Sequence, residues 1–168
     1  ILSEHEYQTV FFESHQQEFD NTGAFLRNTG FEKVYSRSDY NYDKPTNEWG
    51  VPDHVLFNTA LPVLNDLSAK KKPFLAVLLT ITDHEPYTLP EDISFKPHSQ
   101  ENMKQTVEYA DWAKKEFIAQ CRKQKWFSNT IFVFIADHGF YTSHDVYDVS
   151  MSYIHIPFII YSPLLIKK

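Results

Sequence analysis

Apolar residues occur along the chain in short dense runs, divided by polar stretches and by segments of helical period. Residues 8–12 (Gln-Thr-Val-Phe-Phe) are good strand formers. Residues 74–79 (Phe-Leu-Ala-Val-Leu-Leu) and 131–135 (Ile-Phe-Val-Phe-Ile) are continuous apolar runs, the pattern of strands buried on both faces. A small strand fits 33–36, and a last one fits 156–161, with Pro157 near its start, where sheets tolerate proline. A short helix falls near 23–28, with Asp20, Asn21 or Thr22 as its cap and Gly30 just past its end. A second starts at Asp53 as N-cap and runs to about Lys70 on Val55, Leu56, Phe57, Leu61, Leu64 and Leu67. Pro62 is expected to kink or split it. The best helical pattern covers 101–124, where Met103, Val107, Ala110, Ala113 or Lys114, Phe117 and Cys121 recur at three- and four-residue steps. Strands alternating with helices predict βαβ units: a three-layer α/β domain with a mainly parallel sheet.

Each long strand ends in polar chemistry. Residues 13–15 (Glu-Ser-His) follow the first, 80–87 (Thr-Ile-Thr-Asp-His-Glu-Pro-Tyr) follow the second, and Asp137-His138-Gly139 closes the run at 131–135. In an open α/β sheet the carboxyl ends of the strands are where ligands bind. His15, His84 and the Asp137–His138 pair are therefore expected along one edge, with the His84 imidazole within about 10 Å of Asp137 and His138, because neighbouring strands lie about 4.8 Å apart. Adjacent carboxylate and imidazole donors suit zinc or manganese. The loop 140–150 adds His144, Asp145 and Asp148 as further polar groups. His5, His54 and His98 read as ordinary polar residues, and His155, between Ile154 and Ile156, as a partly buried structural histidine.

Composition narrows the classes. The chain has 168 residues, 42% of them hydrophobic, enough for one domain with a sizeable core. A net charge of −6 argues against nucleic acid as a partner. The single cysteine, Cys121, excludes an internal disulfide and falls on the helix's apolar face, so it reads as core. No apolar run approaches the roughly 20 residues of a membrane helix. The opening residues 1–7 have neither the basic start nor the apolar run of a signal peptide, and they read as a helix tail entering a strand, as in a piece of a longer protein.

Six segments carry a resemblance: 7–12 (Tyr-Gln-Thr-Val-Phe-Phe), 19–21 (Phe-Asp-Asn), 49–53 (Trp-Gly-Val-Pro-Asp), 82–87 (Thr-Asp-His-Glu-Pro-Tyr), 136–139 (Ala-Asp-His-Gly) and 155–157 (His-Ile-Pro). In this order they resemble the sulfatase-like domain of the lipoteichoic acid synthase family, within the alkaline phosphatase superfamily. The resemblance spans almost the whole chain and implies that residues 1–168 are the carboxyl-terminal part of such a catalytic domain. The family implies a divalent metal ion (manganese, magnesium, zinc or calcium) beside a nucleophile that attacks phosphorus or sulfur. It implies Asp137 and His138 as metal ligands, His84 as the catalytic group that contacts and steadies the phosphate or sulfate, and His15, Asp20 and Trp49 as further substrate contacts. It also implies a lipid- or glycan-linked ester as substrate, on the extracytoplasmic face of a membrane reached through an absent amino-terminal segment.

The sequence departs from the family in two ways. The family's first acidic ligand and its nucleophile lie upstream of the segment where this sequence begins, so the piece alone is expected to be inactive and to hold metal weakly or not at all. Some synthases also carry Trp and Arg where Asp20 and Thr22 stand here. A true sulfatase or phosphodiesterase and a catalytically silent lipid- or protein-binding homologue are the alternatives; Cys121 lacks the Cys-x-Pro-x-Arg setting of sulfatases.

Overall fold

The computed structural model describes residues 2–44, 49–139 and 154–166. The chain divides into two compact units, Ile1–Gln124 and Lys125–Lys168.

The first unit is built on three parallel strands, β1 (Gln8–Glu13), β2 (Lys33–Tyr35) and β3 (Phe74–Leu79), in the order β2-β1-β3. The registers pair Phe11 with Val34 and with Val77. The β1–β2 connection contains α1 (Thr22–Asn28), and the β2–β3 connection contains α2 (Asp53–Ala69). A third helix, α3 (Asn102–Cys121), packs on α2, which itself packs on β1 and β3. The period-2 alternation of β1 divides its side chains between two faces. Val10 and Phe12 join Leu56, Phe57, Ala60, Tyr109 and Ala113 in the core between sheet and helices. Phe11, on the other face, meets Phe31 edge-on at 5.3 Å between ring centroids.

Local expectations fare unevenly. Gly30 has φ +104° just past α1, the left-handed conformation that ends helices. None of Asp20, Asn21 or Thr22 caps α1: its N-cap residue Asn21 has left-handed backbone and makes no side-chain cap bond, while the Thr22 hydroxyl donates to the Phe19 carbonyl. The helix α2 runs through Pro62 as one element. Pro62 is exposed, while Leu56, Phe57 and Ala60 before it and Leu64 after it are buried, so both halves are held against the core despite the missing N–H. Asp53 is the first residue of α2 rather than its cap, and its carboxylate goes elsewhere. On α3 the buried face is Thr106, Tyr109, Ala110, Ala113 and Cys121, whereas Val107 is exposed. Cys121 is fully buried, and burial pushes its thiol up to about 12, which fits the core role.

The second unit contains β4 (Phe132–Ile135) and β5 (Phe158–Tyr161), paired antiparallel in a two-stranded sheet. The expected parallel sheet is present in β1–β3. The expectation of strands buried on both faces fails for both β3 and β4. Side chains along β3 are half-buried throughout, and in β4 Val133 and Ile135 are exposed. Composition records the demand for cover on both faces; the described neighbours of β4 supply it on one. His155 is exposed, contrary to the buried role expected of it, because it lies in the extended approach to β5 rather than inside a packed sheet. Among the described residues, no helix is long and apolar enough to cross a membrane.

Candidate functional site

The carboxyl ends of β1 and β3 carry one continuous row of rings. From the end of β1, His15 lies 5.0 Å from Phe19 between centroids, Phe19 lies 5.9 Å from Trp49, and Trp49 lies 3.9 Å from His84. Three of the residues singled out in the sequence, His15, Trp49 and His84, are therefore brought together, bridged by a fourth. Phe19 is 46% exposed, and an exposed aromatic amid polar residues at a sheet edge is the signal that marks it. Asp20, the next residue, is exposed and has φ +48°, and Asn21 has φ +56°. Two successive non-glycine residues in the left-handed region are uncommon outside sites that need them.

Backbone contacts hold the row's supports. The loop after β1 is pinned by the Tyr40 hydroxyl, which donates to the Glu13 carbonyl at 2.9 Å, and by the Arg37 N–H, which donates to the His15 carbonyl at 2.8 Å. The Val51 N–H donates to the Ser14 carbonyl at 3.0 Å and so seats the Trp49 segment on β1. The approach requires glycine at 50, whose φ is +150° and where a Cβ would overlap the Ser14 carbonyl.

Nitrogen assignments follow from geometry. The ring Nδ1 of His15 lies 3.0 Å from the Gln16 carbonyl, that of His84 lies 3.2 Å from the Glu85 carbonyl, and that of His138 lies 2.8 Å from the Gly139 carbonyl. A carbonyl only accepts, so in each ring Nδ1 donates and Nε2 is the nitrogen for substrate or metal. By contrast, His54 has Nδ1 2.7 Å from the hydroxyl of buried Tyr109, and burial lowers its pKa, so it is a neutral structural group. His98 pairs with Glu108 at the surface, 3.5 Å from Nδ1 to carboxylate.

Glu13 was not singled out by the sequence. It is fully buried at the end of β1, and neither carboxylate oxygen has a hydrogen-bond partner among the described residues. His15 Nδ1 stands 3.8 Å from one of them. Burial pushes the carboxyl above its ordinary range, against the opposing pull of His15 and then Arg27. A carboxyl whose folded pKa is raised binds its proton longer in the fold than in the unfolded chain. Stability therefore falls as pH rises from the unfolded value to the folded one, and it stays lowered above that. Glu13→Gln is expected to raise stability at pH 7 by about 1 kcal/mol, or roughly 4 °C in Tm, with the gain vanishing below about pH 4. Thermal unfolding of the two proteins across that range checks this; an equal loss at both pH values would contradict it.

In the second unit, Asp137 and His138 follow β4. Asp137 Oδ1 accepts from the His138 N–H at 2.9 Å, and Oδ2 lies 3.8 Å from His138 Nε2. A cation about 2.1 Å from each donor fits that span. The Nδ1–H to the Gly139 carbonyl is the supporting bond that metal-bound imidazoles use. The donors thus suit a divalent cation, as two members of a ligand set. Among the described residues no group of three or more metal-type side chains converges. The loop 140–150, with His144, Asp145 and Asp148, lies outside the described residues.

Comparison with known proteins adds the family. The sulfatase family model matches residues 1–168. Lipoteichoic acid synthase 1 of Bacillus subtilis is 27% identical over 147 residues, 83% of this chain and 22% of that protein. A solved protein of the alkaline phosphatase superfamily from Vibrio parahaemolyticus superposes with a TM-score of 0.85 at 30% identity, covering 96% of this chain and 40% of that one. The lipoteichoic acid synthase LtaP of Listeria monocytogenes gives a TM-score of 0.81 at 24% identity, covering 96% of this chain and 45% of that one. The chain thus spans about a fifth of the length of the curated relatives it matches.

Proposed function

Since the chain belongs to the sulfatase family, with its fold in the alkaline phosphatase superfamily, we propose that it is part of a metal-dependent transferase or hydrolase of phosphate or sulfate esters. The observation that carries the reading is the row His15–Phe19–Trp49–His84 at the carboxyl edge of the parallel sheet. The two imidazoles would offer Nε2 to a tetrahedral oxyanion, and Phe19 and Trp49 would form an apolar wall for the group it is esterified to. In its doubly protonated form His84 would keep Nδ1–H on the Glu85 carbonyl and donate from Nε2 to an ester oxygen, steadying charge or passing that proton to the leaving oxygen. His15 and Trp49 bind and orient the ester, and Asp20 contacts its alcohol part. Asp137 and His138 would be two of the ligands of a divalent cation (manganese, magnesium, zinc or calcium), which when bound would supply Lewis-acid polarisation of an ester oxygen. The substrate we infer is a lipid- or glycan-linked phosphate or sulfate ester, acted on at the extracytoplasmic face of a membrane; the lipoteichoic acid synthases among the relatives support the ester class.

The experiment is an ester-cleavage assay on the full-length protein with a generic phosphodiester and a generic sulfate ester, with and without chelator. Turnover of one ester that chelator abolishes and divalent metal restores is the expected result. No turnover of either ester by metal-loaded protein favours the silent homologue.

A further inference from the structure

The 49–53 segment grips the His84 loop at a second point, away from the Trp49 ring. The Asp53 side chain is fully buried at the first residue of α2, and its Oδ1 accepts three hydrogen bonds from one turn after β3. The donors are the Ile81 N–H at 3.2 Å, the Thr82 N–H at 3.1 Å and the Thr82 hydroxyl at 2.7 Å. In return the Thr82 hydroxyl accepts from the Asp53 N–H at 3.0 Å. That N–H belongs to the first turn of α2, where backbone donors have no partner within the helix. Thr82 therefore caps α2 from 29 residues away, and Asp53 fixes the backbone of Ile81 and Thr82. The same turn continues to His84, whose N–H donates to the Ile81 carbonyl at 3.2 Å.

Taking His84 as the ester-contacting group of the proposed function, we infer that Asp53 and Thr82 are its positioning residues: their reciprocal hydrogen bonds set the height of the His84 loop, so that the imidazole seats on Trp49. Neither reaches the reacting atoms. Two attachments to one five-residue segment, one at the ring and one at the backbone, leave His84 little freedom to tilt. Misplacement of a reacting group by about 1 Å can cost on the order of 10²-fold in rate.

Thr82→Val and Thr82→Ser separate the hydroxyl from the side chain's shape. The first readout is the histidine ring NMR spectrum of the 168-residue chain, in which His84, stacked on Trp49, reports its seat through the indole ring current. Thr82→Val is expected to move the His84 signals toward those of exposed His98, and Thr82→Ser to leave them in place. Unmoved His84 signals in Thr82→Val, or equal movement in both variants, would overturn the inference. In unmodified protein, slow exchange of the Ile81 and Thr82 amides is expected, a measurement that decides the matter even if Thr82→Val does not fold; exchange at open-loop rates would overturn it. The second readout is turnover by the full-length protein. Thr82→Val is expected to lower kcat at least about tenfold with a smaller change in KM, and Thr82→Ser to restore it to within about threefold. His84→Ala measured alongside keeps the two ideas apart: if it leaves turnover unchanged, the role of His84 fails, while the ring spectrum still decides the tether.

Discussion

Replacing His84 by alanine is expected to lower kcat of the full-length protein by about 10²–10⁴-fold, the range for a positioned acid or oxyanion donor. The side chain is exposed, and its ring contact is with Trp49, so no core packing is lost. Unchanged circular dichroism and Tm would therefore accompany the loss of turnover. The loss should fall mainly on kcat, because a hydrogen bond to an oxygen that gains charge strengthens in the transition state. His98→Ala supplies the comparison: its side chain is 94% exposed and lies against Glu108, and its effect is expected to stay within twofold or so. A His84→Ala enzyme within about threefold of the unmodified one would remove His84 from the chemistry.

His138→Ala is expected to have two different outcomes. In the 168-residue chain it should change nothing measurable in stability, since the side chain is 59% exposed. In the full-length protein it should abolish turnover at ordinary metal concentrations. Loss of one ligand from a divalent site removes far more affinity than loss of a supporting bond, and the latter alone costs 10–100-fold or so. Activity measured over a range of manganese and zinc concentrations checks this, and Asp137→Ala should behave alike. Full activity of either variant under limiting metal would place the ligands elsewhere.

The parallel core was legible because its signals are local. Residues 8–12 and 74–79 announce strands by composition, and α3 announces itself by spacing. Side-chain destinations were not legible. Asp53 sits at a helix start, as its type and position suggest, yet its carboxylate serves a turn 29 residues away, where three donors outcompete a local cap. Glu13 ends a strand of good β-formers, and no pattern reveals that both its oxygens are buried without a partner among the described residues. The run at 131–135 looks like an interior strand; its partner β5 is antiparallel and its outer residues are exposed, because an apolar run states what a strand needs and not what stands beside it. Of the residues expected to form the site, His15, Trp49 and His84 meet through Phe19, a residue whose role emerges only once the loop after β1 folds back.

The most direct test of the ester-binding row is a titration of the 168-residue chain, carbon-13 labelled in its histidine rings, with a small phosphate monoester and separately with its sulfate counterpart. A saturable shift of the His84 and His15 signals, with His5 and His98 stationary, is the predicted result. Shifts confined to His5 and His98, or none at any concentration, would contradict the assignment of this sheet edge as the site.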